Sequence, residues 1–463
     1  MSRTARGPLV GWLAQQRWFA SKTRRIEALT IEDGVPLARA TIQIARVTLD
    51  DGTVDRYAIP LGEGSPIADA LDDPPFCLAL LDLIRRGGTA AGKQGEVRGR
   101  PTRAFPRRLP SDLPVRRLAG EQSNTSVVFG DALILKHYRR LAAGVHPEQE
   151  ITRFLTERTL FRNAPRLGGH LEYRRHAGGA TTLALVQELV VGGRDGWEWL
   201  LEELRGFHQT AERDGSPPDP ERVRGLGGSS LRALRRLGEV TGALHLALAS
   251  DASDAAFAPE PITAADLAGW ADDVRRQVEA AQGMLGDRGL HAAPDPSDGL
   301  AGLAGRRKIR HHGDYHLGQT LVREAGADFV IIDFEGEPLR PLEARRRKHA
   351  AVRDVAGMLR SIDYAASAAR EGVGSGGLAW ADAWEAEARD QFLGGYRTAT
   401  AGAPFSPDSD AAFRGAAAVF ELEKAAYEIV YEANHRPQWL GIAARGFAKA
   451  AAALGRRSRA GAE

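Results

Sequence analysis

Three oxygen-bearing side chains set the chemistry of this chain. They are Asp314, in His311-His312-Gly313-Asp314-Tyr315-His316-Leu317-Gly318-Gln319, then Gln319 itself, then Asp333, in Ile331-Ile332-Asp333-Phe334-Glu335. An aspartate, an amide five residues later and a second aspartate after a buried strand is the spacing that phosphoryl transfer requires. The first takes the proton of an acceptor hydroxyl, and the other two hold a metal ion against phosphate oxygens. The apolar run Phe329-Val330-Ile331-Ile332 reads as the strand that delivers Asp333, and Glu335 adds another hard oxygen. Gln319, Asp333 and Glu335 are therefore the expected magnesium ligands, hard oxygen donors suited to that ion. His312 and His316 read as loop-orienting donors, with His316 also facing the acceptor.

The phosphate donor needs its own elements. Val115 to Ala119, the polar loop Gly120-Glu121-Gln122-Ser123-Asn124-Thr125-Ser126, Val127 to Phe129, the turn Gly130-Asp131 and Ala132-Leu133-Ile134-Leu135-Lys136 read as strand, loop, strand, turn and strand. That is the layout of a kinase small lobe. Lys136 is expected on phosphate oxygens, with Ser123, Asn124, Thr125 and Ser126 around the phosphates. Pro147 opens a helix that offers Glu148 and Glu150 as partners for Lys136. Glu150 is preferred, because it lies one turn before Phe154 and so faces inward. Gln187, Glu188 and Val190 follow the buried run Leu183 to Val186, where a lobe-connecting hinge would offer its backbone to adenine.

A third constellation lies near the C-terminus. Glu421, Lys424, Glu428, Glu432 and His435 recur at three- and four-residue steps, on one face of the last long helix, with Tyr427, Tyr431, Arg436 and Trp439 beside them. Aromatic faces stack on sugar rings while carboxylates bind hydroxyls. Tyr427, Glu428, Glu432, Arg436 and Trp439 are therefore the expected acceptor contacts, together with Asp314 and His316.

The elements that must carry these groups are legible in outline. Val10 to Phe19 reads as a short helix. Thr41 to Leu49 alternates as a half-buried strand, and Asp55 to Ile59 reads as its hairpin return. Pro101, Pro106, Pro110 and Pro114 disfavour helix and interior strand, so 101–114 is taken as a linker between a cap module (1–100) and the small lobe with its hinge (115–190). Trp197 to Leu204, Leu231 to Leu248, Ala264 to Leu285, Val352 to Ala369, Trp380 to Tyr396 and Ala411 to Glu432 carry helical periodicity, so 191–463 is a mostly helical large lobe.

The chain has 463 residues, 43% of them hydrophobic and 26% charged, with a formal charge of +2. This is a folded globular composition without the basic field that nucleic acid requires. Arg345-Arg346-Arg347-Lys348 reads as a solvated face. The one cysteine, Cys77, excludes an internal disulfide and a cysteine zinc site and reads as a buried hydrophobe. No window has the length of a membrane span and no signal core opens the chain, so a cytoplasmic protein is expected, a monomer or weak homodimer without a membrane partner.

Taken together, Gln16-Arg17-Trp18-Phe19-Ala20, Glu121 to Ser126, His312-Gly313-Asp314, Asp333 to Pro338, Arg353 to Arg360 and Tyr427-Glu428 through Trp439 resemble the bacterial maltokinase family, relatives of aminoglycoside phosphotransferases. The resemblance spans almost the whole chain. It implies an α+β, bilobal protein-kinase-like fold with an extra N-terminal cap, ATP and Mg2+ as cosubstrates, and a small sugar acceptor. The leading acceptor is maltose, phosphorylated at its anomeric hydroxyl. The alternative is glucosamine, the acceptor of a related branch, whose ammonium the carboxylate-rich helix would suit; an aminoglycoside and a pseudokinase follow behind.

Overall fold

A computed structural model describes residues 3–5, 7–110, 112–119, 123–285, 294–323, 326–338, 340–370 and 375–460. The chain forms two compact units, Met1–Val191 and Gly192–Glu463.

The first unit is built on two antiparallel sheets. The strands Ile26–Leu37, Ala40–Leu49 and Val54–Gly62 form the body of a five-stranded sheet. Ala40–Leu49 buries both faces in turn, Ala40, Ile42 and Ile44 entering one core and Ala45, Val47 and Leu49, on the opposite face, another. The expected first helix is shorter, Pro8–Gln15, and Trp18 and Phe19 leave it to pack against Tyr57. A seven-stranded sheet runs in the order Thr89–Ala91, Gly95–Pro101, Leu167–Arg175, Ala180–Glu188, Leu133–Tyr138, Asn124–Phe129 and Val115–Arg117.

That order corrects the expected linker. No helix or strand occupies the described residues from 102 to 114, but the packing does not part there. Gly95–Pro101 pairs along its length with Leu167–Arg175, and Val35, Ile42 and Phe76 share one apolar core with Val127, Leu135 and Leu183. Prolines break the backbone ladder without preventing the chain from returning to the same core.

The second unit is mostly helical. The expected helices occur as Gly196–Asp214, Gly228–Leu248, Ala264–Leu285, Val352–Ala368, Ser375–Ala399 and Asp410–His435. A further long helix, Leu440–Ala460, follows them. Alanine is the strongest helix former, and Ala443, Phe447, Ala450 and Leu454 give that segment a buried stripe. Between the helices lies the hairpin Thr320–Arg323 with Asp328–Ile331, extended by Arg194–Asp195. Among the described residues no helix is long and apolar enough to cross a membrane.

Candidate active site

The loop bearing Asp314 is held from behind by a buried carboxylate. Asp354, on the helix Val352–Ala368, accepts hydrogen bonds from the backbone N–H of His312 at 2.7 Å and of Gly313 at 3.0 Å. His245 Nε2 faces the same carboxylate at 3.0 Å, and its Nδ1 meets the Tyr396 hydroxyl at 2.9 Å. Burial opposes ionisation of Asp354, but the surrounding histidines and these hydrogen bonds outweigh it and hold the carboxyl well below the usual range. His312 reaches the other way, its Nε2 on the Ile332 carbonyl at 2.9 Å, and so ties the loop to the residue between the strand Asp328–Ile331 and Asp333. The helix can come this close because residue 357 is glycine: a Cβ there would stand 2.6 Å from the Tyr315 carbonyl oxygen.

Asp314 projects from this clamped loop with its side chain 19% exposed. Lys424 Nζ lies 3.0 Å from its Oδ1 and 3.9 Å from Glu337, while His316 Nε2 is 4.0 Å from Oδ2, beyond hydrogen-bond reach. Burial raises the carboxyl's affinity for a proton, but the Lys424 ammonium, together with His316 and His312, more than offsets this, so Asp314 titrates below the usual range.

Gln319 and Asp333 meet through the hairpin. Thr320 pairs with Ile331, and the Ile332 N–H donates to the Gln319 carbonyl at 3.0 Å, which sets Gln319 beside the residue preceding Asp333. Asp333 has φ 64°, one of two non-glycine residues in the left-handed region among the described residues. Such a conformation costs about 1–3 kcal/mol and persists where the fold over-determines it. Carboxylate oxygens of Asp333 and Glu335 lie within 4.8 Å of one another. Close hard oxygens on a rigid turn are a donor set that fits magnesium.

In the first unit, Lys136 occupies the strand Leu133–Tyr138 and donates to Glu148 Oε2 at 3.0 Å. The same oxygen accepts from the Tyr138 hydroxyl at 2.7 Å, and Gln187 Nε2 is 3.5 Å from Oε1. Lys136 thus pairs with Glu148, where Glu150 was the preferred candidate. Glu148 shares a helix face with buried Thr152 and Leu155, whereas Glu150 is only half-buried. The N-terminal turn of that helix is buried on more than one side, so the single landmark Phe154 misjudged its roll.

Two further expectations in this unit change. Asn124, Thr125 and Ser126 are strand residues rather than loop, and Gly120, Glu121 and Gln122 lie outside the described residues. Ser126 stands directly opposite Lys136, but Thr125 points to the other face, where its hydroxyl accepts from Arg139 Nε at 2.8 Å. Gln187 is laddered to Ile134 on one side and Leu167 on the other, and the Glu188 N–H donates to the Arg166 carbonyl. Gln187 therefore offers no free backbone edge to adenine; the strand ends at Glu188, and Val190 follows it at the expected hinge.

In the second unit a cavity of about 840 Å³ gathers every expected acceptor residue: Asp314, His316, Tyr427, Glu428, Glu432, Arg436 and Trp439. Glu428 Oε2 accepts from buried Arg360 at 2.6 Å. Glu432 accepts from the Tyr364 hydroxyl at 3.1 Å and from Arg436 at 2.7 Å. Burial raises the Glu428 carboxyl, with Arg360 opposing. Lys424 and Glu337 are site residues that the sequence reading quoted without a role, and Trp197, Ser361 and Tyr364 are lining residues it missed. Lys424 was within reach, because it shares the helical stripe of Glu428; Trp197 and Tyr364 sit on other helices and leave no local signal.

The basic run is a solvated face only in part, Arg347 being exposed while Arg345 and Arg346 are half-buried. The Lys348 side chain is 7% exposed and donates to Glu260 at 2.6 Å, and Arg345 reaches the Glu335 carbonyl at 3.3 Å.

With this geometry in place, similarity to known proteins decides the family. Residues 12–75 match the maltokinase N-terminal cap domain. The glucosamine kinase of Mycolicibacterium smegmatis is 30% identical over 338 residues, which cover 71% of this chain and 77% of that protein. The chain belongs to the maltokinase and glucosamine kinase family. Another relative, the glucosamine kinase of Streptacidiphilus jiangxiensis, is 29% identical over 71% of each chain. Two solved structures share the fold at 22% identity. A glucosamine kinase in complex with glucosamine, ADP and inorganic phosphate aligns with TM-score 0.66 over 91% of this chain and 93% of its own. A second crystal form of glucosamine kinase aligns with TM-score 0.69 over 96% and 97%. The fold is the α+β kinase-like fold with an N-terminal cap, and as a family member the chain is an ATP-dependent sugar kinase.

Proposed function

We propose that this sugar kinase phosphorylates an amino sugar, with glucosamine as its reference acceptor and glucosamine 6-phosphate as product. The observation that carries this reading is the row of carboxylates on the acceptor cavity: Asp195, Glu198, Asp314, Glu337, Glu428 and Glu432 line it with Lys424 and Arg436, while Arg340, Arg353 and Arg360 pair with Glu337 and Glu428. An excess of carboxylate attracts an ammonium group and gives it charge-assisted hydrogen bonds, while the neutral hydroxyls of maltose gain nothing comparable. The names of the two curated relatives support the same choice.

In this mechanism Asp314 accepts the proton of the acceptor hydroxyl as it attacks, with Asp354 fixing the loop behind it. Lys424 keeps Asp314 ionised in the resting site and passes to the acceptor when the hydroxyl takes its place. Lys136, aimed by Glu148, holds phosphate oxygens of ATP. Gln319, Asp333 and Glu335 would hold magnesium, which supplies charge neutralisation for the phosphates. Asp333→Ala is accordingly expected to weaken magnesium–nucleotide binding as well as turnover; calorimetry with unchanged affinity would remove Asp333 from that role.

A second reading, maltose, is favoured by the match of residues 12–75 to a maltokinase cap and by the aromatic rings of Tyr427, Tyr431 and Trp439 on the cavity wall. A coupled ADP-release assay over glucosamine, maltose, glucose and an aminoglycoside separates them. Glucosamine is expected to give the highest kcat/KM. Maltose turning over faster than glucosamine would overturn the amino-sugar reading.

A further inference from the structure

The acceptor cavity is longer than one sugar ring. Its wall follows the helix Asp410–His435 from Lys424, beside Asp314, to His435. At ~1.5 Å per residue that stretch rises about 16 Å, three turns of helix, whereas a single pyranose spans about one turn, ~5.4 Å. The three turns carry different groups. Lys424, Tyr427 and Glu428 lie at the Asp314 end, Tyr431 and Glu432 in the middle, and His435 and Arg436 at the far end.

The far end is itself built as a saccharide site. Trp439 stacks on Tyr364 at 5.9 Å with the rings 14° apart and meets Trp197 at 6.3 Å, and the Arg436 guanidinium lies 5.3 Å from the Trp439 ring centre. Trp197 is half-buried rather than enclosed, and beside it Glu198 is exposed. Asp195 caps the same helix, accepting from both the Trp197 and Glu198 N–H groups, so this corner of the wall is fixed in place. A partly exposed indole next to a carboxylate offers a stacking face for a sugar ring and a counter-charge for an amino substituent. Along the helix, Arg436 stands about three turns from Lys424, the residue that rests on Asp314.

We infer that the natural acceptor is larger than glucosamine: a di- or trisaccharide whose rings carry free amino groups, with its reacting ring at Asp314 and its second ring on Trp197 and Trp439. This inference rests on the amino-sugar reading of the site. In the step, a hydroxyl of the terminal ring loses its proton to Asp314 and forms a bond to the γ-phosphorus of ATP. The bond from that phosphorus to the β–γ bridging oxygen breaks, and ADP leaves with the electron pair.

The test uses the full chain with ATP, magnesium, and glucosamine, its β1→4-linked di- and trisaccharides, and maltose as acceptors. The amino disaccharide is expected to equal or exceed glucosamine in kcat/KM. Trp197→Ala is expected to lower the disaccharide-to-glucosamine ratio of kcat/KM by about fivefold or more, the size of a lost ring-stacking contact, with Trp197→Phe restoring most of it. A thermal melt of each variant reports folding separately from the ratio, which is internal to each preparation. Good turnover of glucosamine with less than a tenth of that kcat/KM on the disaccharide overturns the extended site and leaves the amino-sugar reading standing. Faster turnover of maltose than of either amino sugar overturns both.

Discussion

Two lysine–carboxylate pairs, each 3.0 Å long, carry the proposed mechanism, one in each unit, and opposite partners are held in them. In the first unit Glu148 is the buried member, 2% exposed, and its Oε2 also accepts from Tyr138. The carboxylate is immobilised so that the lysine is presented. In the second unit the lysine is one of several charges around Asp314, shared with Glu337, and the carboxylate is the group presented. In the proposed mechanism the same ion pair serves as a bracket in one region and as a temporary counter-charge in the other. In the first pair the carboxylate is much the more buried partner, and in the second the two side chains are about equally exposed.

The largest expected effect tests the presented carboxylate. Asp314→Asn is expected to cut kcat by about 10²–10⁴-fold, the loss of a general base, with nucleotide binding retained. Activity within about tenfold of wild type would remove Asp314 from that role.

Next comes the anchor behind it. Asp354→Ala leaves two backbone N–H groups and His245 without their acceptor and is expected to cost about 3–5 kcal/mol in denaturant unfolding. The pH sign follows from the depressed carboxyl. Asp354's contribution is in place above the ordinary aspartate value of 3.8 and is lost as pH falls below it toward the folded value, so the variant's acid unfolding begins less steeply.

Smaller effects separate the two ends of the reaction. Glu148→Gln is expected to raise the KM for ATP and leave that of the acceptor nearly unchanged, and Glu428→Ala the reverse. Each loses a charge-assisted hydrogen bond of about 1.5–3 kcal/mol, or roughly 10- to 150-fold in kcat/KM. If both variants moved the same KM, the contrast between bracket and counter-charge would fail.

The smallest effect concerns Lys424. Its ammonium holds Asp314 below the usual carboxylate range, so Lys424→Met lets the Asp314 carboxyl rise. Because the working form is ionised, the acid limb of the kcat/KM profile is then expected to move to higher pH. A limb that stays in place would mean that Lys424 does not set the basicity of Asp314.

Several of these residues were legible before any coordinates. Asp314, Gln319 and Asp333 are spaced within one loop and hairpin, so local sequence already brings them together, and the stripe from Lys424 to His435 follows from helical periodicity alone. The misreadings share a cause. The choice of Glu150 over Glu148 depended on the roll of a helix whose first turn is buried on more than one side. Thr125 was placed among phosphate groups without the register that puts Ser126, and not Thr125, opposite Lys136. The Arg345 to Lys348 run looked like wholly solvent-facing charge because its partners, such as Glu260, lie far away in the chain.

The sequence by itself determined the reaction class, the element types and the acidic, aromatic character of the acceptor helix, because each of these is written in spacings shorter than a helix or a hairpin. Only the tertiary structure decided that Asp354 clamps the catalytic loop, that Lys424 rests on Asp314, that Arg360 braces Glu428, and that Trp197 and Tyr364 complete the acceptor wall. Those contacts join residues from 41 to more than a hundred positions apart. Such pairings depend on how whole helices roll and dock, and no local pattern of residues encodes that.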